Sequence, residues 1–359
     1  MDFNENTIYR VTGIMSGTSL DGMDMAACIF RVRDGKWEYT IEHTVTWPYT
    51  PEWKSRLQSL FNASAAELAK IHFDYGRLSG ELAKSFHTRT NFDPILIASH
   101  GHTVFHDPQT GFSMQIGNGA AIAAAGGKPV VCDFRAMDVC LGGQGAPLVP
   151  MGDEILFSQY DACLNLGGFS NISLKRDGKR IAFDICPVNT VLNQLAGKLG
   201  HEFDFNGNLA RDGQIIEPLL EKLNSLLYYE LPAPKSLGTE MLIRQMFPIL
   251  EDSNYPVNDL LRTFVEHISV QIGRIVRQYK IKEILLTGGG AHNLFLISNI
   301  EKACGCKLVI PDNETIEYKE ALIFALLGLL RWSGKTNILS SATGAIADSC
   351  GGAVYLPAK

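Results

Sequence analysis

Residues able to do chemistry gather in a few short polar segments of this chain, three of them rich in glycine. The first, GIMSGTSLDGMD (13–24), sets Gly17, Thr18, Ser19, Leu20, Asp21, Gly22, Met23 and Asp24 between two apolar runs. Glycine permits close backbone approach and positive φ, and the hydroxyls of Ser16, Thr18 and Ser19 add donors beside exposed N–H groups, so such a turn can wrap phosphate oxygens. Asp21 and Asp24 supply carboxylates of the kind that hold a hydrated Mg2+ against phosphates. The segment lacks GK[ST] and is no Walker loop. An ordinary hairpin tip would use the same residue types. GGFSN (167–171) repeats the theme with Gly167, Gly168, Ser170 and Asn171. TGGGAHN (287–293) places Gly288, Gly289, Gly290 and Asn293 between a strand and a helix. Three glycines there allow approach to a flat ring or a phosphate, and a helix N-terminus adds partial positive charge.

Acid–base chemistry has one good candidate. Asp184 ends an apolar run in FDICPVN, and a carboxylate at a strand end facing a cleft suits a general base, although a surface-turn aspartate would read the same way. His100, His102 and His106 in SHGHTVFHDP (99–108) have spacing that invites zinc, with Asp107, Asp133 and Asp138 as carboxylate partners. The competing reading is a pocket wall whose histidines donate to sugar hydroxyls. The eight cysteines occur singly, without paired C-x-x-C, which predicts reduced thiols. Cys304 and Cys306 have no nearby histidine and read as structural.

These segments need a scaffold, and the apolar pattern supplies one. A length of 359 residues suggests two domains, set at 1–145 and 146–359. Charged residues are only 19% of the chain against 46% hydrophobic, which excludes global disorder. A net charge of −6 lacks the basic footprint of a general nucleic-acid binder, yet leaves room for an anionic small substrate. The opening MDFNENTIYR has no apolar h-region and 321–332 is too short to span a bilayer, so a cytoplasmic protein with no membrane partner is expected. Strands are predicted at 8–14, 25–32, 37–47, 95–98, 112–116 and 130–132, with helices at 51–60 and 65–86. The second half predicts strands at 163–166, 172–175, 181–185, 284–286 and 308–309. Its helices fall at 189–199, 216–228, 239–250, 257–279, 294–302 and 317–332. Strand, Gly/Ser turn, strand occurs twice, half a chain apart, which points to internal duplication and an α/β class with two sheet-centred lobes.

GIMSGTSLDGMD closely resembles the opening signature of the anhydro-N-acetylmuramic acid kinases, bacterial enzymes of cell-wall recycling. SHGHTVFHDP, VVCDFRAMDVCLGGQGAPLVP (130–150), LNLGGFSNIS (164–173), the Asp184 segment, PKSLGTE (234–240), TGGGAHN and EALIFALLG (320–328) follow in that family's order. The resemblance implies the two-lobed actin–hexokinase–heat-shock ATPase fold, a mixed five-stranded sheet in each lobe and ATP in the inter-lobe cleft. It also implies a reaction in which ATP, water and 1,6-anhydro-N-acetylmuramic acid give N-acetylmuramic acid 6-phosphate and ADP. On this reading Asp184 activates water and the glycine-rich turns hold the nucleotide. His100, Arg135, Asp138 and Asn189 recognise the sugar and its lactyl group, while Asp21 and Glu320 hold Mg2+, the latter through water. A homodimer is suggested as well. Two glycines usual in the family are replaced by Cys186 and Val188, which could narrow backbone approach, and His102 stands where glutamine is common. A kinase of another amino sugar, a catalytically silent nucleotide-binding regulator and a zinc amidohydrolase are the alternatives.

Overall fold

The structure is a computed structural model that describes residues 3–17, 20–251 and 254–358, so Thr18 and Ser19 lie outside the described residues. Its backbone divides into two compact units, Met1–Leu156 with Tyr318–Lys359, and Phe157–Glu317.

In the first unit the opening apolar runs form a meander of β1 (Tyr9–Met15), β2 (Gly22–Arg33) and β3 (Lys36–Pro48). Two short runs follow, β4 (Leu96–Ser99) and, after a hairpin of β5 (His102–Asp107) and β6 (Phe112–Ile116), β7 (Val130–Cys132). β4 lies parallel to β1 and β7 parallel to β4, giving the order β3-β2-β1-β4-β7. Both short strands are buried along their length, as expected of parallel strands covered on both faces. The helix Ala65–Thr90 covers one side, opened by a Ser64 side-chain cap and closed by Asn91 in the left-handed region. Ile14, Met23, Met25, Tyr75 and Ile97 meet in the core beneath it.

The second unit repeats this plan. β8 (Ala162–Leu166), β9 (Phe169–Arg176) and β10 (Lys179–Pro187) are antiparallel, and β11 (Glu283–Thr287) and β12 (Lys307–Val309) add in parallel beside β8. The order β10-β9-β8-β11-β12 is third, second, first, fourth, fifth, identical to that of the first unit. The duplication suspected from two hairpins is therefore real at the level of topology. The helix Val257–Tyr279 lays Leu260, Leu261, Phe264, Val265, Ile268 and Ile272 into the core at spacings of three and four.

Three expectations differ from what is found. The chain after Tyr318 groups with the first unit, where a last strand β13 (Ala353–Tyr355) pairs antiparallel with β7. The split at 145/146 thus gives way to a continuous second unit and a discontinuous first one. β5 is a strand that the residue pattern does not predict, because its polar run HTVFHD and a bulge between Thr103 and Phe105 hide the alternation. The helix expected over 239–250 is broken into Thr239–Met241, a wider π turn Leu242–Met246, and Phe247–Glu251. Among the described residues, no helix is long and apolar enough to cross a membrane.

Candidate active site

The first loop leaves β1 at Met15, and β2 returns so that Met15 pairs with Asp24. Gly22 has no room for a side chain: an added Cβ would lie 2.5 Å from the Trp47 carbonyl oxygen. Leu20 adopts a φ of 60° and packs on the core. Met23, expected at the nucleotide, is fully buried, backbone included, and belongs to the core. The Ser16 hydroxyl, expected at a phosphate, instead turns inward onto Tyr49 Oη at 2.7 Å and His102 Nδ1 at 3.1 Å. Asp21 is exposed, and Asp24 accepts a hydrogen bond from Thr46 Oγ1.

The three histidines do not converge. His100 Nδ1 donates to the Gly101 carbonyl at 3.0 Å, leaving Nε2 to accept from Arg135 Nη2 at 2.8 Å. His102 turns to Ser16, and His106 to Ser113. Each ring has a different partner, and no cluster of three potential ligands exists among the described residues, which removes the geometric basis for zinc. Arg135 Nη1 also donates to the Gly145 carbonyl at 2.5 Å. Burial draws its guanidinium down to about 10, opposed by Glu320 and Asp138. Burial likewise holds His100 well below its usual value, helped by the charge of Arg135. Asp138, proposed for sugar recognition, is fully buried and committed elsewhere: its carboxylate accepts from Gly145 N at 2.7 Å and Thr343 Oγ1 at 2.6 Å. Its role is to hold the 143–145 turn that in turn steadies Arg135. Desolvation by the surrounding protein raises the Glu320 carboxyl, with Arg135 and Lys319 opposing and Asp24 adding repulsion.

In the second unit the turn between β8 and β9 is only Gly167 and Gly168, and Ser170 and Asn171 already belong to β9. Asn171 is exposed. The Ser170 hydroxyl, expected at a phosphate, is buried and donates to the Cys186 carbonyl at 2.9 Å while accepting from Cys186 N. This pair clasps a β-bulge, since the register of β10 on β9 shifts between Asp184 and Cys186. Bulges re-aim side chains beside functional sites, and here the residue left unpaired is Ile185, directly after Asp184. Cys186 and Val188 do not crowd the glycine turn with their side chains; both are fully buried in the core.

Asp184 is gripped by a segment to which the sequence assigned no role. Leu237 N donates to Asp184 Oδ2 at 2.8 Å, Asp184 N donates to the Lys235 carbonyl at 3.0 Å, and Tyr228 Oη donates to the Asp184 carbonyl at 2.7 Å. Lys235 Nζ closes the strap on the Tyr228 carbonyl at 3.0 Å. The other carboxylate oxygen has no hydrogen-bond partner among the described residues. Burial raises the Asp184 carboxyl above the ordinary aspartate value, and the Leu237 N–H pulls the other way. No residue pattern announces such a strap, because two of its three bonds to Asp184 use its own backbone.

The triple glycine divides its work. Gly288 has a φ of 85°, and a Cβ there would stand 2.5 Å from Asn165 Oδ1; one on Gly290 would stand 2.7 Å from Leu166 Cβ. Both glycines let the turn press on the end of β8. Gly289 meets nothing nearer than Asn189 Nδ2 at 3.8 Å and lines a cavity of about 780 Å³. Asn293 caps the helix Leu294–Cys304 by accepting from Leu296 N at 3.0 Å. The exposed rings of Phe203 and Phe205, with Ile310, form apolar cavity wall, and His292 meets Glu317 at its edge at 2.5 Å. Asn189, placed with the sugar group from sequence, lines this same cavity and donates to the Leu166 carbonyl. Volume and apolar walls with a few polar groups suit a nucleoside-sized ligand.

The sequence profile of the anhydro-N-acetylmuramic acid kinases matches residues 9–357. The chain belongs to this family. It is similar to the anhydro-N-acetylmuramic acid kinase of Nitrosomonas europaea, at 34% identity over 96% of this chain and 98% of that protein. It is also similar to those of a Sulfurovum species, at 33% identity over 97% and 99%, and of Aliivibrio fischeri, at 33% over 96% and 99%. Membership in the anhydro-N-acetylmuramic acid kinase family makes the chain a phosphotransferase with an alcohol acceptor.

Proposed function

We propose that the protein opens the 1,6-anhydro ring of 1,6-anhydro-N-acetylmuramic acid with water and phosphorylates the released O6 with ATP, giving N-acetylmuramic acid 6-phosphate and ADP. The observation that carries this is Asp184, held by its backbone and one carboxylate oxygen while the other oxygen remains available. A carboxylate so fixed can orient a water and take its proton as the water oxygen attacks the anomeric carbon. The C1–O6 bond breaks with its electron pair on O6. O6 then attacks the γ-phosphorus, and the β–γ bridging oxygen leaves with ADP. A glycosidase needs a second carboxyl to protonate the leaving oxygen; capture of O6 by phosphorus makes that acid unnecessary.

The cavity at Gly289, Asn293 and Asn189 is the proposed nucleoside site, and the turns at 16–24 and 167–168 the proposed triphosphate clamps. Arg135 and His100 are the proposed sugar-facing pair, the guanidinium suiting the lactyl carboxylate. For Mg2+, the mutual repulsion of Asp24 and Glu320 is what a divalent cation would relieve, and Mg2+ asks for only one or two carboxylates beside water and phosphate; Asp21 is the further candidate. When bound, the ion supplies charge neutralisation on the transferring group.

A mass-spectrometric assay in H2 18O tests this reading. The expected product carries phosphate and one 18O at the anomeric position, and ADP appears only with the anhydro sugar present. Phosphorylation of N-acetylglucosamine without action on the anhydro sugar would instead establish a kinase of another amino sugar, and ATP binding without turnover a silent regulator.

A further inference from the structure

The SHGH segment singled out by its histidines has no zinc to hold, yet both of its rings are buried, at 5% exposure each. Its second histidine meets the first loop. Ser16, 3% exposed, is the first residue after β1, and its hydroxyl sits between Tyr49 Oη at 2.7 Å and His102 Nδ1 at 3.1 Å. Tyr49 Oη lies in turn 2.5 Å from Tyr75 Oη. Tyr49 also reaches the far end of the loop, since its backbone N–H donates to the Asp21 carbonyl. Ser16 and Asp21 are therefore each anchored, and one buried chain of four side chains sets the position of Ser16.

The direction of that chain follows from counting donors. A neutral imidazole carries one N–H and one bare nitrogen. With His102 Nδ1 bare, Tyr75 donates to Tyr49, Tyr49 to Ser16 and Ser16 to His102, and every hydroxyl hydrogen has an acceptor. With Nδ1 protonated the chain reverses, and the Tyr75 hydroxyl no longer donates to Tyr49. The first arrangement satisfies all three hydroxyl hydrogens within the chain, and a buried donor without a partner is costly, so that arrangement prevails. Burial holds the His102 pKa at about 4, consistent with a neutral ring.

We propose that His102 is a positioning residue for phosphoryl transfer: it accepts the Ser16 hydroxyl's hydrogen and thereby fixes Ser16, where the first loop leaves β1, against the triphosphate. This rests on the reading of that loop as a phosphate clamp. His102 acts through Ser16 and touches no reacting atom.

The test is steady-state kinetics with ATP and the anhydro sugar, alongside melting temperature, on His102→Gln, His102→Leu and Ser16→Ala. A glutamine carbonyl can replace the bare nitrogen; leucine cannot. His102→Leu is expected to raise KM for ATP by about 10-fold and lower kcat, since a loop shift of order 1 Å can cost about 10²-fold. KM for the sugar should stay within about 2-fold of wild type on the same geometric ground, and His102→Gln should restore most of the loss. Ser16→Ala should match His102→Leu and add nothing when combined with it, as members of one chain do; it carries the test if the leucine variant does not fold. A lowered melting temperature with unchanged KM for ATP would reduce His102 to a packing role and overturn the proposal. Gly17→Val, which alters the loop and leaves the four side chains intact, separates the two ideas. If it too leaves KM for ATP unchanged, the phosphate clamp itself is wrong; if it alone raises KM, the clamp stands and the His102 proposal fails.

Discussion

Asp184 sits in opposed fields: burial favours its neutral form, while the Leu237 N–H favours the charged one. A base must be ionised to work, so the acid limb of kcat/KM should fall above the ordinary carboxylate range, with activity lost as pH drops through it. Leu237→Pro removes the opposing N–H and should move that limb further up; a limb that stayed put would show the hydrogen bond to be idle. Asp184→Asn should retain ATP binding by calorimetry and lose about 10²–10⁴-fold in turnover. The stability effect has the reverse sign. Because the folded-state pKa lies above the unfolded one, ionised Asp184 opposes folding above both values, and stability returns as pH falls through the folded value. Asp184→Asn should therefore melt no lower than wild type at pH 7, the difference closing toward acid; a clearly lower melting point would contradict this. The apolar run that stops at Asp184 predicts a strand end there, whereas β10 continues past it to Pro187, because Ile185, Cys186 and Pro187 resume the strand beyond the carboxylate. The bulge was not legible, since Ser170 and Cys186, which clasp it, look like a phosphate donor and a lost glycine until the register is known. Asp138 misled for a similar reason: a carboxylate beside Arg135 in sequence points instead at Gly145 N and Thr343.

At the scale of elements, the two strand–turn–strand hairpins were legible because small polar turns separate strongly apolar runs. Buried short strands such as β7 appeared at their predicted bounds for the same reason. What pattern could not separate was the duty of neighbouring glycines. Gly290 presses on Leu166, whereas Gly289 faces the cavity. Gly290→Val should thus destabilise by about 1–3 kcal/mol through overpacking, read by urea unfolding. Gly289→Ala should unfold like wild type and raise KM for ATP. Equal destabilisation by both would mean that the turn is purely structural. PKSLGTE was legible as a sequence block, but its grip on Asp184 was not, because Lys235 and Leu237 bind through main-chain groups, which carry no residue signature.

For the whole molecule, the repeated strand order shows what the sequence could only hint at through two similar turns. The boundary was misplaced because no linker composition marks it, and because β13 is three residues long. The large core that includes Leu164, Phe264 and Ile300 lies entirely within the second unit, as does the cavity at Gly289. A fragment of residues 157–317 is therefore expected to fold by itself, with dispersed amide resonances and a single cooperative melt, and to show ATP-induced shifts at Gly289 and Asn293. A random-coil spectrum would disprove its autonomy.

That continuity bears on biogenesis. A nascent chain leaves the ribosome from its N-terminus, and domains commonly mature in that order. Here the earliest residues must wait for the last: the outer edge of β7 stays uncovered until Ala353–Tyr355 emerges, by which time the interior insert has been available for completion. Translation should thus finish the middle of this polypeptide before its beginning, leaving an unpaired strand edge as the interval's chief aggregation hazard.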